Sequence, residues 1–150
     1  MLVRWISVAG ATALFCLSFT PASAQYAPRN FDHGTVTMVL QYEVKPGQLN
    51  AFMHDLAADF RPAMEQGKAR GAVVSYGVEQ PVDPRPGEPN LSLVIVYKNM
   101  AALDRPLDDS DKSAVAHYGS LEKARDASLK RETEAIYKGS LLLRSLEFTK

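Results

Sequence analysis

Apolar positions set the first divisions of the chain. Thr35 to Val44 alternates, with Val36, Met38, Leu40, Tyr42 and Val44 on one face, the period of a strand. Lys45-Pro46-Gly47 ends it, because proline cannot continue a ladder and Pro-Gly favours a turn. From Gln48 to Gln66 the period changes. Leu49, Phe52, Met53, Leu56, Phe60, Ala63 and Met64 recur every three or four residues, which predicts an amphipathic helix closed by Gly67. Pro62 lies inside that pattern and predicts a kink or a restart, since it lacks the N–H and clashes with the preceding turn. Ala72 to Glu79 reads as a second strand. Four prolines between Pro81 and Pro89 make a stiff exposed connection. Leu91 to Lys98 is the strongest strand pattern, apolar on both faces as a central strand would be. A helical turn over Asn99 to Leu103 and a polar loop over Asp104 to Ser110 follow. A helix capped by Ser110 or Asp111 then runs to Lys138, with a break at Gly119-Ser120. Gly139 closes it, and Leu141 to Thr149 forms the last strand.

The order strand, helix, strand, strand, helix, strand is the βαββαβ arrangement of an α+β, ferredoxin-like fold. It implies an antiparallel four-stranded sheet with helices on one face. The other face carries Val, Leu, Ile and Tyr, and an apolar patch of that size marks an interface. Two sheets packed face to face would cover it, so a homodimer is expected.

Residues 1–24 have a different character. Arg4 supplies an early positive charge, and a run of 15 residues from Trp5 to Phe19 is almost entirely apolar. The run ends in Ala22-Ser23-Ala24, the small-x-small form of a signal peptidase site. It falls short of the roughly 20 residues that span a bilayer. Residues 1–24 are therefore read as a signal peptide, 25–34 as an N-terminal leader and 35–150 as the folded domain. The protein is expected in the periplasm or secreted, with no membrane attachment after cleavage. Cys16 and Trp5, the single cysteine and tryptophan, both lie in that segment. Cleavage leaves no thiolate nucleophile, disulfide or cysteine-ligated metal. Lys plus Arg number 17 against 17 Asp plus Glu, which gives no electrostatic case for nucleic acid.

The strand Val36 to Val44, the following Lys45-Pro-Gly-Gln-Leu-Asn-Ala-Phe52 and the strand Leu91 to Tyr97 together resemble the dimeric α+β barrel superfamily. That group includes antibiotic-biosynthesis monooxygenases, muconolactone isomerases, haem-degrading enzymes and stress-responsive barrel proteins. The resemblance implies a homodimer whose sheets enclose a pocket, and a proton-transfer residue near His117. The Asn–Trp–His set of the haem-degrading members has no tryptophan to supply it after cleavage.

The candidate chemistry is sparse. His33, His54 and His117 match no metal-ligand spacing, so neither a metal nor a cofactor is expected. His117 is the candidate catalytic group. Tyr42, Tyr76 and Tyr97, each on a predicted strand, are candidate ligand-binding phenols. Gln41, on the opposite face of the first strand from Tyr42, joins them if that face lines the pocket. Asp104, Asp108, Asp109 and Asp111 lack the spacing and central glycine of a calcium loop. Lys123, Arg125, Lys130 and Arg131, mixed with Glu122, Asp126, Glu132 and Glu134, read as an exposed helix face. Three readings follow. The chain binds a small apolar or aromatic molecule in a pocket between sheet and helices or at the dimer interface. Alternatively it is a cofactor-independent monooxygenase or isomerase, or a structural interaction domain. Convergent polar groups in a buried pocket would favour the enzyme.

Overall fold

The computed structural model describes residues 28–104 and 106–149. Residues 1–24, read above as a signal peptide, lie outside them. Among the described residues four strands form one antiparallel sheet in the order β2-β3-β1-β4. The strands are β1 (Phe31–Val44), β2 (Val73–Glu79), β3 (Leu91–Tyr97) and β4 (Ala135–Phe148). Between β1 and β2 run α1 (Leu49–Asp55), a π-helical turn (Leu56–Phe60) and α2 (Arg61–Ala69). Between β3 and β4 come a 3₁₀ turn (Met100–Leu103), α3 (Leu107–Tyr118) and α4 (Leu121–Glu134). This is the βαββαβ order expected, and it is an α+β, ferredoxin-like fold.

The register fixes which residues share a face. Met38 lies opposite Ile95 and Leu142, and Leu40 opposite Leu93. Directly paired residues of antiparallel strands project to the same side. Leu40, Tyr42 and Val44 on β1 therefore share the helix-covered face with Leu91 and Leu93 on β3 and with Ala135 and Tyr137 on β4. Phe52 and Leu56 close over this set to form the core, and Phe60 packs at its edge. Asn90 extends the pairing of β3 with β1 through its side chain. Its amide oxygen accepts from the Val44 N–H at 2.7 Å and its amide nitrogen donates to the Val44 carbonyl at 2.9 Å.

Several positions depart from the pattern reading, each for a local reason, and α2 runs on past Gly67 to Ala69. β1 begins at Phe31, so the end of the 25–34 leader is strand, with Phe31 to His33 paired to Phe148 to Leu146. Pro62 marks the expected restart, and a π turn precedes it. The Arg61 N–H bonds to the Leu56 carbonyl, five residues back, and Pro62 falls in the first turn of α2, where its missing N–H costs least. α3 starts at Leu107, ahead of the expected Ser110 or Asp111, with Asp108 and Asp109 in its first turn. Gly119 ends α3 in the left-handed conformation at φ 86°, and Ser120 caps α4, as the Gly119-Ser120 break predicts. The last helix stops at Glu134 rather than Lys138. Ala135 is already extended because Val44 pairs with it, and strand pairing overrides the helical pattern there. Gly139 closes no helix. It lies within β4 at φ 138°, where a register shift opposite Gln41 and Tyr42 inserts an extra residue.

Candidate functional site

Two helical stripes face each other above the sheet. On the first run of helix, Leu56, Asp59, Phe60 and Ala63 follow the i, i+3, i+4, i+7 spacing of one face. On α4 and its junction with β4, Ser128, Arg131, Glu132 and Ala135 do the same. Both stripes line a cavity of about 540 Å³, floored by Leu40, Tyr42, Leu93 and Tyr137 and walled by Phe52 and Tyr118. The cavity exists because α4 turns small and charged residues inward. Its large apolar residues, Leu121 and Leu129, are half exposed on the outside. The volume lies within the roughly 300–1,000 Å³ of small-molecule sites, and aromatic side chains dominate the wall.

The polar groups gather at one end. The Arg131 guanidinium donates to the Tyr118 hydroxyl at 3.1 Å and, through Nε, to the Ala127 carbonyl at 3.4 Å. Asp59 Oδ2 lies 3.5 Å from the same guanidinium, and Asp59 Oδ1 lies 2.9 Å from His117 Nε2. Asp59 sits on the π turn, an irregularity often found at functional positions. Burial pushes its carboxyl upward, but hydrogen bonding from His117 and Tyr118 and the Arg131 charge outweigh that and hold it below the usual range. The Tyr118 phenol is raised by burial and by Asp59. The Tyr42 phenol is raised by burial, against the opposing charge of Arg131.

The candidates from the sequence are only partly brought together. Tyr42 lines the cavity and stacks against Phe52 and Tyr137 with ring centroids 5.4 and 5.5 Å away. His117 borders it indirectly: Asp59 and Tyr118 line both the large cavity and a smaller one of about 160 Å³, and His117 lines only the smaller. Tyr97 lines a third cavity, of about 190 Å³, with Gly67 and Val73. Tyr76 is bound to Glu65 on α2 at 2.6 Å and packs edge-on against Phe60, outside the large cavity. Gln41 pairs opposite Ser92 and Gly139 on the open face, away from all of these. Asp59, Tyr118, Tyr137 and Arg131 were not singled out from the sequence. Arg131 belongs to no merely solvated helix face, and neither does Glu134, which is buried at 5% exposure with Oε2 unpartnered. The signal available was a charged residue inside each apolar stripe. Among the described residues no three His, Cys, Asp or Glu side chains are placed to hold a metal ion.

No family model and no curated protein matches the chain. Solved structures of similar topology are matched at low identity. A dimeric ferredoxin-like protein from an uncultured marine organism is 12% identical over 79% of this chain and 99% of that one, with a TM-score of 0.47. A second such protein, also from an uncultured marine organism, is 6% identical over 79% and 91%, again with a TM-score of 0.47. An antibiotic biosynthesis monooxygenase-like protein from Caulobacter crescentus is 15% identical over 77% and 91%, with a TM-score of 0.41.

Proposed function

We propose that this protein is exported, is cleaved after Ala24 and binds a small apolar or aromatic molecule in the cavity between sheet and helices. The observation that carries the binding reading is the aromatic-walled space of about 540 Å³ with its polar groups gathered at one end. A filled interior would have favoured a structural interaction domain. The direct test uses 4-nitroanisole, an uncharged aromatic probe, and isothermal titration calorimetry. Ser128 is exposed at the cavity mouth, so Ser128→Trp blocks entry without disturbing the core. Saturable one-to-one binding that Ser128→Trp weakens at least tenfold supports the reading. No binding by the unaltered protein sinks it.

A second reading, a cofactor-independent monooxygenase or isomerase, is favoured by one observation. Asp59, Arg131 and Tyr118 converge on the cavity with His117 behind them. Such a set can polarise a bound hydroxyl or carbonyl.

The open sheet face supports a homodimer. Ile136, Leu141 and Leu143 are 47%, 49% and 53% exposed there, beside partly exposed Val39, Val94 and Val96. From the usual strand spacing and rise the face measures about 700 Å². That is close to the roughly 800 Å² per partner of a stable interface. Sedimentation at micromolar concentration is expected to give a dimer, and Leu143→Glu a monomer. A monomeric unaltered protein would exclude the arrangement.

A further inference from the structure

We propose that the Arg131 end of the cavity binds the oxygen anion of a phenol or enol, and that protonation of His117 across Asp59 supplies the compensating charge. The inference rests on the cavity being a ligand site, and it names the chemistry at its polar end.

The argument is a charge count along one line of groups. Arg131 faces the cavity, Asp59 stands between it and His117, and His117 opens onto the smaller cavity behind. With a neutral imidazole, Asp59 is the counter-ion of Arg131, and an anion in the cavity would face a site without net charge. The distances divide the carboxylate unequally. His117 lies 2.9 Å from one oxygen, whereas Arg131 stands 3.5 Å from the other. Among the described residues, Arg131 Nη1 donates no hydrogen bond to protein. When His117 takes up a proton, the shorter contact becomes a full ion pair, and the Arg131 charge is left for the ligand. Glu132, also on the cavity wall, is exposed to solvent and therefore screened.

The protons balance. The ligand O–H bond breaks, its electron pair stays on oxygen beside Arg131, and the proton leaves to water. His117 gains one proton at Nδ1 from solvent. The site thus keeps its net charge while the ligand ionises. A carboxylic acid, already anionic in solution, would have to enter while Asp59 still offsets Arg131. A weakly acidic hydroxyl enters neutral, which selects phenols and enols. The groups facing His117 are Asp59 from the π turn, Tyr118 from α3 itself and, beyond Asp59, Arg131 from α4.

The test compares 4-nitrophenol, whose phenolate absorbs in the visible, with its methyl ether 4-nitroanisole. Absorbance is read across pH with saturating protein. Bound nitrophenol is expected to ionise about tenfold more readily than free nitrophenol, an apparent pKa about one unit lower. His117→Gln and Arg131→Gln are expected to return it to the free value, each read at a protein concentration that saturates the probe. Far-ultraviolet circular dichroism shows that each variant is folded. If nitroanisole binds but nitrophenol ionises as it does in water, the oxyanion site falls and the cavity reading stands. If His117→Gln leaves the lowered value unchanged, the coupling falls. If neither probe binds, both readings fall together.

Discussion

Phe52 and Leu91 offer a way to weigh the cavity energetically. Each is 1% exposed, so solvent accessibility does not distinguish them. Their surroundings do. Both belong to the core cluster, but Phe52 also lines the large cavity, whereas Leu91 lines none of the cavities described above. Truncating Leu91 to Ala removes packed carbons and leaves a new void, at about 3–4 kcal/mol, in the middle of the range for buried leucines. Truncating Phe52 removes twice as many carbons. Part of its ring borders the cavity, so fewer packing contacts are lost and the new void merges with the old one. About 3 kcal/mol is expected, the low end for buried phenylalanine. The loss per carbon is then about half that at Leu91. Urea denaturation followed by far-ultraviolet circular dichroism measures both, with the slope against urea checked for constancy. A Phe52→Ala loss above about 5 kcal/mol would mean that the ring is packed on every side, and the cavity would lose its physical basis.

Other perturbations test the frame around the site. Asn90→Ala leaves both the N–H and the carbonyl of Val44 without the side-chain partners at 2.7 and 2.9 Å. A loss of about 1–3 kcal/mol by urea denaturation is expected, and no change would show that water replaces the amide. Gly67→Ala places a Cβ 2.6 Å from Val73 Cγ2. It should cost about 1–3 kcal/mol through overpacking, and thermal melts would expose any neutral outcome. The folded Asp59 carboxyl lies below its unfolded value, so its charged form stabilises the protein above the unfolded pKa of about 3.9. That contribution is lost as pH falls through the folded value. Asp59→Asn should therefore narrow the stability difference between pH 7 and pH 3, and an unchanged difference would remove Asp59 from the linkage.

The sequence pattern reads the fold far better than the site. The alternation of Val36 to Val44, the stripe from Leu49 to Met64 and the run from Leu91 to Tyr97 each report burial, and burial is what builds the sheet and the helix that covers it. The junction at Ala135 was illegible because a helix and a strand compete there. Only the partner strand decides, through Val44 and Tyr42 pairing with Ala135 and Tyr137. The site was illegible for a related reason. Asp59 and Arg131 look like ordinary surface charges until the two helices are placed opposite one another. Tyr76 and Tyr97 show the converse, since strand position alone cannot say whether a phenol reaches a cavity, a neighbouring helix or a gap at the edge of the sheet.

The inverted packing of α4 links the cavity to the outside of the molecule. An ordinary covering helix buries its leucines and exposes its charges. Here Leu121 and Leu129 are exposed at 50% and 49%, while Arg131 and Glu134 turn inward. That arrangement forgoes apolar burial and takes on the desolvation of charged groups, which partners offset only in part. Asp59 faces Arg131, and Lys130 bridges Asp55 at 2.9 Å and Glu134 at 3.6 Å. A sequence under selection for stability alone would rotate the helix or replace its inward stripe with leucine. Replacing Asp59 and Arg131 with leucine together should therefore leave stability unchanged or raise it by roughly 1–3 kcal/mol, since exchanging both members of a partly buried ion pair for apolar groups removes their desolvation without leaving an uncompensated charge. The same change should return bound 4-nitrophenol to its free ionisation, since the Arg131 cation is then gone from that end of the cavity. Stability kept or gained with that ionisation effect lost would identify the inward charges as the cost of a ligand site. Lower stability would instead mean that the Arg131 contacts hold α3 and α4 together, and that the cavity is a by-product of that clasp.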